Sequence, residues 1–183
     1  SDLVRFYLLD KFGGLWLDAT VYLTQNEVPN DIRAANHFIF QDSRYSIDDI
    51  FTEKQVVTCI PGSNWLLYSH LGDLWVRHVS TLLNYYWENF DTVSYYYTTH
   101  LIMSMSFEAS PEWYKEMPKY DNQVPHMVQN LMSKPYDANL MDKALDSSFA
   151  HKLSYKQAYY SENDKNLFMD RLFKIVPNDG EKM

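Results

Sequence analysis

Cysteine is nearly absent from this chain of 183 residues, and long apolar runs are missing altogether. The single cysteine, Cys59, excludes an internal disulfide and a zinc site of the cysteine type, so a reducing compartment is the simpler expectation. No apolar run reaches the roughly 18 residues of a transmembrane helix, and no basic-then-apolar leader marks a signal peptide. The sequence therefore predicts a cytoplasmic location, with peripheral association at the inner face of a membrane left open.

Positive charge is also scarce. Lysine and arginine number 16 against 24 aspartate and glutamate residues, for a formal net charge of -8. Nucleic-acid binding needs clustered cations, so we expect no nucleic-acid partner. An anionic small molecule would instead need a few cations placed locally. Aromatic residues make up 16% of the chain, and their flat faces suit sugar rings as well as protein cores.

The spacing of apolar residues predicts an α/β chain forming one domain over residues 1–183, with a frayed tail at 176–183. A helix that is apolar almost all round, typical of a buried helix, is predicted over residues 1–12 and ends at Gly13-Gly14. A central strand is predicted over 15–17 and a turn over 61–64. Other predicted strands cover 21–23, 38–40, 55–60 and 149–155, and other predicted helices cover 74–86, 93–107, 124–132, 138–145 and 162–175.

Charged residues interrupt the apolar opening stretch SDLVRFYLLDKFGGLWLDAT. Asp2 and Arg5 are three residues apart and share one helix face, and burying them is unfavourable unless they find polar partners. Asp18 follows a predicted strand, and open α/β sheets bind ligands beyond the carboxyl ends of their strands. Because the glycine turn folds the helix back beside the strand, we expect the three side chains to converge. The alternative is an isolated Asp2–Arg5 pair and an Asp18 that caps a turn.

The stretch SDLVRFYLLDKFGGLWLDATVYL resembles the signature of the capsular polysaccharide synthesis family, which combines S-D-x-x-R, an apolar spacer, G-G and aromatic-Leu-Asp. Weaker matches, PGSNWLLYS and AHKLSYK, extend the resemblance to about residue 156. The family is related to sugar transferases that include the yeast-type initiating mannosyltransferase and the clostridial glucosylating toxins. The resemblance implies a GT-A-type nucleotide-diphospho-sugar transferase fold, with a mixed sheet flanked by helices and without the N-terminal strands that normally precede the first helix.

The resemblance also implies roles for individual residues. Catalytic roles fall to Asp18 and Arg5. Donor-binding roles fall to Asp2, Arg5, Asp18, Asn64, Lys152 and Lys156. A divalent cation, Mn²⁺ or Mg²⁺, would be held by Asp18, Thr20 and His151, since hard oxygen ligands favour these ions. The family motif elsewhere has a second carboxylate where this chain has Thr20, so we expect a lower metal affinity.

Two further residues are candidates for contact with a saccharide acceptor. His100 lies in an apolar helical stretch, and Trp65 follows the Pro-Gly-Ser-Asn segment. For both, packing in the protein core is the better explanation. Near the end of the chain, strand alternation sends His151 and Lys152 to opposite faces, so only one of them can face the predicted site.

The resemblance predicts a glycosyltransferase that moves a sugar from a nucleotide-sugar donor to a saccharide acceptor, in the synthesis of a capsule or surface glycan. Two alternatives stay open. One is a non-catalytic domain that keeps the transferase fold and binds carbohydrate or a partner, as the loss of a carboxylate at Thr20 would allow. The other is a hydrolase with paired carboxylates, which is weaker because Asp18 has no carboxylate partner at a fixed spacing.

Overall fold

The described residues fold into helices and two small antiparallel sheets. A computed structural model describes residues 2–47, 58–93 and 95–173. The helices are α1 (Asp2–Phe12), α2 (Asn30–Ala34), α3 (Leu74–Asn89), α4 (Thr98–Ala109), α5 (Pro111–Lys115), α6 (Met127–Met132), α7 (Ala138–Asp146) and α8 (Glu162–Leu172), with a 3₁₀ turn at Val124–His126. The strands are β1 (Gly14–Leu17), β2 (Val21–Leu23), β3 (His37–Gln41), β4 (Gly62–Ser69) and β5 (Ala150–Lys152). The predicted α/β class is therefore confirmed, whereas the predicted mixed sheet is not found among the described strands, since all of their pairs are antiparallel.

Strand β4 is the centre of the larger sheet, which has the order β1-β4-β3. The prediction that residues 15–17 form a central strand is wrong for the described sheet, because β1 pairs with β4 alone and its residues are half-buried or exposed. Every residue of β3 is buried, as a strand covered on both faces requires. The second sheet pairs β2 with β5 and brings Val21 opposite Lys152.

The predicted turn over residues 61–64 is also wrong. Gly62 begins β4, and a Cβ atom built there would lie 2.2 Å from the Phe40 carbonyl oxygen. Glycine is needed because the two strands approach each other closely at a β-bulge between Ile39 and Gln41. Residues typical of a turn thus allow two paired strands to approach each other closely, and the local sequence alone does not distinguish this use from a turn.

Helix α1 is buried on one side only, contrary to the predicted buried helix. Arg5, Phe6 and Leu9 are buried, and Phe6 meets Trp75 of α3 edge-on with ring centroids 5.8 Å apart. Leu3 is partly buried against the core, and four other apolar side chains of the helix are exposed: Val4, Tyr7, Leu8 and Phe12. Apolar composition therefore did not identify the buried face, which is the face that carries Arg5.

Several predicted elements are confirmed with shifted ends. Helix α3 extends three residues beyond its predicted end at residue 86, and α4 begins at Thr98 instead of residue 93. The predicted strand over 149–155 is shortened to β5. Of the strand predicted over 55–60, residues 55–57 lie outside the described residues and 58–60 form no strand, while the tail at 176–183 also lies outside them. None of the helices in the described ranges has the length and apolar character that a bilayer span requires.

Candidate active site

The turn between α1 and β1 brings Asp2, Arg5 and Asp18 together. Gly13 and Gly14 adopt φ values of 63° and 96°, a region that side chains with a Cβ rarely enter. A Cβ atom at Gly13 would also lie 2.6 Å from the Leu71 backbone nitrogen. Because of this glycine turn, the helix reverses directly into the strand, and the Asp18 carboxylate after β1 lies at the face of α1 that carries Asp2 and Arg5. The expected convergence is found.

Arg5 is the centre of the cluster, with a side chain that is only 7% exposed. Its Nη2 atom lies 3.0 Å from Oδ1 of Asp2 and 3.5 Å from Oδ1 of Asp18, and its Nη1 donates a hydrogen bond to the Asn64 carbonyl oxygen. The guanidinium also lies against the Trp16 ring, 5.5 Å from the ring centroid. Two carboxylates and one carbonyl thus compensate a buried cation, which would otherwise be strongly destabilising.

Asp18 joins Arg5 to a second cation, Lys152. Asp18 Oδ1 accepts a hydrogen bond from the Trp16 indole nitrogen at 3.1 Å, and Asp18 Oδ2 lies 3.1 Å from the Lys152 ammonium. The same ammonium donates to the Thr20 hydroxyl at 2.6 Å. Pairing of β2 with β5 fixes this arrangement, since the Leu153 backbone nitrogen donates to the Thr20 carbonyl.

Asp2 is held from the opposite side by two polar groups. The Thr99 hydroxyl of α4 donates to Asp2 Oδ2 at 2.6 Å, and the Asn64 side-chain amide lies 3.4 Å from the same oxygen. The sequence analysis did not identify Thr99 or Trp16 as part of the site. Trp16 precedes Asp18 by two residues on an extended segment, and this spacing puts two side chains on one face and was a usable signal.

A cavity of about 590 Å³ opens beside this cluster. Its polar wall is formed by Asp2, Arg5, Asp18 and Asn64. Its remaining wall consists of apolar, aromatic and hydroxyl side chains together with His100: Leu3, Val4, Leu83, Tyr86, Trp87, Val93, Tyr96, Thr98 and Thr99. A cavity of this size, with a few converging charges and an aromatic wall, suits a small polar ligand with ring faces.

His100 contributes a neutral imidazole to the cavity wall. Burial lowers its pKa to about 4, while the nearby Asp2 carboxylate opposes this shift and Arg5 adds to it. Its Nδ1 atom is buried and has no hydrogen-bond partner among the described residues. The imidazole is therefore uncharged at neutral pH and keeps a free nitrogen for hydrogen bonding.

Three predicted site residues lie away from the cluster. His151 is fully buried, its Nε2 lies within hydrogen-bond distance of the Leu145 and Ser148 carbonyls, and burial lowers its pKa. Lys156 rests over the Tyr155 ring at 5.5 Å. Trp65 is buried and stacks on Phe40, as the core explanation expected. Of His151 and Lys152, which alternate along β5, Lys152 is the one that faces Asp18.

The residues around Asp18 do not fit a divalent cation site. The predicted shell of Asp18, Thr20 and His151 is not assembled, because His151 points into the core and Thr20 already accepts from Lys152. Both Asp18 oxygens are engaged by Trp16, Arg5 and Lys152. Within the described ranges, no group of three acidic, histidine or cysteine side chains is arranged to hold a metal ion.

A family model described as "Capsular polysaccharide synthesis protein" matches residues 1–172. The chain belongs to the capsular polysaccharide synthesis protein family. The match begins at the helix that carries Asp2 and Arg5 and extends past Lys152, so all four charged residues of the cluster lie in the family region. Neither a curated protein nor a solved structure matches the chain significantly.

Proposed function

We propose that this member of the capsular polysaccharide synthesis protein family is a glycosyltransferase that moves a sugar from a nucleotide-sugar donor to a growing saccharide. One observation carries the proposal: Asp2, Arg5, Asp18 and Asn64 converge on the wall of a single cavity. A buried cation with two carboxylates at a cavity is an unfavourable arrangement for stability alone, and it suits a ligand that carries both hydroxyl groups and phosphates. In this proposal the chain has the GT-A-type fold and acts in the cytoplasm, at the inner face of the membrane.

The chemistry of sugar transfer assigns work to these groups. The bond between the anomeric carbon and the diphosphate oxygen breaks and its electron pair stays on the diphosphate. The acceptor hydroxyl oxygen forms the new bond to the anomeric carbon, and its proton passes to the leaving diphosphate. Arg5 can stabilise the growing negative charge, because fixed cations in a partly buried site stabilise a leaving group strongly. The Asp2 and Asp18 carboxylates can accept hydrogen bonds from sugar and ribose hydroxyls, which orient the donor.

The aromatic side of the cavity suits the acceptor. Tyr86, Trp87 and Tyr96 offer ring faces opposite the charged wall, and His100 offers a neutral nitrogen to a hydroxyl group. These same rings favour a second candidate function, a non-catalytic domain that binds saccharide without a donor. The two functions differ in whether a nucleotide sugar binds.

Titration calorimetry with a panel of nucleotide sugars separates the two functions. A transferase binds one donor in preference to the others, and binding weakens in the Asp18→Asn variant. Thermal denaturation gives a parallel readout, since ligand at a hundredfold its dissociation constant adds about 2.7 kcal/mol to the free energy of unfolding. Saccharide binding that is indifferent to every nucleotide sugar would favour the second function.

A further inference from the structure

We propose that the Lys152 ammonium takes the place of a divalent cation in this site, so that donor binding and transfer do not depend on a metal ion. The inference rests on the proposed transferase function and adds to it the nature of the group that faces the diphosphate. It starts from the Asp18–Ala19–Thr20 segment, which presents one carboxylate and one hydroxyl. The ammonium lies between these two groups, 3.1 Å from Asp18 Oδ2 and 2.6 Å from Thr20 Oγ1.

Charge balance explains why an ammonium fits here better than a metal ion. The cluster contains two carboxylates, Asp2 and Asp18, and two cations, Arg5 and Lys152. A divalent cation bound to Asp18 would have to displace the ammonium and would then find a single carboxylate and a neutral hydroxyl. Hard divalent cations gain affinity with the number of charged oxygen ligands, so this exchange is unfavourable.

The Lys152 ammonium also keeps a donor for a ligand. An ammonium has three N–H groups, and Asp18 and Thr20 accept two of them. No third acceptor for Lys152 occurs in the part of the chain that the structure describes, and its side chain is 21% exposed. Lys152 is not itself among the residues that line the cavity, and it contacts Asp18, which is. A phosphate oxygen that reaches past Asp18 from the cavity can therefore accept the free N–H as a charge-assisted hydrogen bond.

The pairing of β5 with β2 places a lysine beside Asp18, where a metal ion was predicted to bind. Residue Lys152 reaches the motif because β5 pairs with β2, opposite Val21, directly after Thr20. In this register His151, the middle residue of β5, points into the core, and its imidazole contacts the Leu145 and Ser148 carbonyls. The strand thus supplies a fixed cation at the position for which the sequence predicted a histidine ligand to a metal.

The first experiment measures Mn²⁺ alone, by electron paramagnetic resonance and calorimetry, and needs no donor. We expect no Mn²⁺ binding to the wild-type chain that is sensitive to Asp18→Asn. The double variant Thr20→Asp with Lys152→Ala, which restores two carboxylates and removes the ammonium, should gain Asp18-dependent Mn²⁺ binding. Wild-type Mn²⁺ binding that disappears in Asp18→Asn would overturn the inference.

The second experiment uses the nucleotide sugar that binds in the calorimetric panel, in EDTA and in Mn²⁺. The wild-type dissociation constant should differ by no more than about twofold between the two conditions, whereas loss of one charge-assisted hydrogen bond in Lys152→Ala should weaken binding roughly 10- to 100-fold. Lys165→Ala, which removes an exposed lysine paired with Glu162 on α8, should bind as wild type. Lys152→Arg, with its charge kept, should bind more tightly than Lys152→Ala.

The outcomes separate the inference from the function. Donor binding that requires Mn²⁺ and disappears in EDTA overturns the role of Lys152 and leaves the transferase proposal standing. Absence of donor binding in both conditions overturns the transferase proposal, and with it the inference that rests on it. Thermal denaturation of each variant shows whether a loss of binding reflects unfolding, and the wild-type comparison of EDTA with Mn²⁺ needs no variant.

Discussion

Two clusters of buried charge in this chain are built from similar residues and differ in what surrounds them. In the first, His37 of β3 and Asp73 before α3 are 5% and 4% exposed, with 2.8 Å between His37 Nδ1 and Asp73 Oδ2. The other nitrogen of His37 lies 2.8 Å from the Trp113 carbonyl, and Asp73 Oδ1 caps α3 by accepting from the Val76 nitrogen. Every polar atom of this pair has a protein partner.

The second cluster, around Arg5, lies against a cavity and is not closed in the same way. Arg5 Nε is buried without a hydrogen-bond partner among the described residues, and Asp18 keeps 27% of its side chain exposed. The His37–Asp73 pair therefore ties β3, α3 and the residues of α5 together, whereas the Arg5 cluster keeps part of the Asp18 carboxylate exposed to a ligand. Charged residues that stabilise the fold are therefore distinguished from charged residues that can bind a ligand by how completely they are hydrogen-bonded, more than by residue type.

We expect the largest effect from Asp73→Ala, which tests whether the His37–Asp73 pair stabilises the fold. The change leaves His37 buried without its carboxylate and removes the cap of α3, so the free energy of unfolding should fall by about 3 to 5 kcal/mol. Urea denaturation measures the loss. Asp142→Ala, which breaks an exposed pair with Arg171, is the matched control and should cost less than about 1 kcal/mol. Similar losses in both variants would contradict a structural role for the sealed pair.

The pH dependence of stability tests the burial of His100. Because its folded pKa of about 4 lies below the unfolded value of 6.5, the unfolded chain binds the extra proton as the pH falls through this window. The wild-type chain should therefore lose about 2 to 3 kcal/mol more than His100→Phe between these two pH values, measured by urea denaturation. Parallel curves for wild type and His100→Phe would show that His100 is not desolvated.

Asp18→Asn tests whether the cluster beside the cavity contributes to ligand binding more than to stability. The variant keeps the shape of the side chain and replaces the charged acceptor for donor hydroxyls and for the Lys152 ammonium with a neutral amide, so nucleotide-sugar binding should weaken by about 2 kcal/mol. The free energy of unfolding should change by less than about 1 kcal/mol, because Asp2 still compensates Arg5 and the side chain is partly exposed. Calorimetry and urea denaturation measure the two quantities. A large loss of stability with unchanged binding would place Asp18 in the structural class.

The smallest expected effect concerns the aromatic wall. Tyr96 is 87% exposed and lines the cavity, so Tyr96→Ala should weaken binding of an oligosaccharide acceptor by about 0.5 to 1.5 kcal/mol and leave stability unchanged. Tyr160→Ala removes a tyrosine that is 63% exposed elsewhere on the surface and serves as its control. Equal effects of the two substitutions on acceptor affinity would argue against a saccharide at this wall.

Local signals predicted the charged part of the site well. The three-residue spacing of Asp2 and Arg5, the glycine pair and the strand that ends at Asp18 are all short-range features, and together they fix the meeting of three side chains. Strand alternation also limited β5 to one residue facing Asp18. Which of the two it is depends on pairing with β2, so the sequence left His151 and Lys152 undecided.

Long-range packing decided the features that the sequence missed. The Pro61–Asn64 segment has the composition of a turn, yet Gly62 opens the central strand because Phe40 passes close to it. Helix α1 has apolar residues on nearly every side, so its pattern could not show that the face with Arg5 is the buried one. Thr99 reaches Asp2 from 97 residues away, a distance at which no local pattern gives a signal.

The pairing of β5 with β2 has a consequence for how the protein matures during synthesis. Lys152 follows Thr20 by 132 positions, so a nascent chain has Asp18 without this counter-charge until residue 152 has left the ribosome. Fragments that stop before β5 would contain every residue that lines the cavity and still lack the Lys152 ammonium beside Asp18.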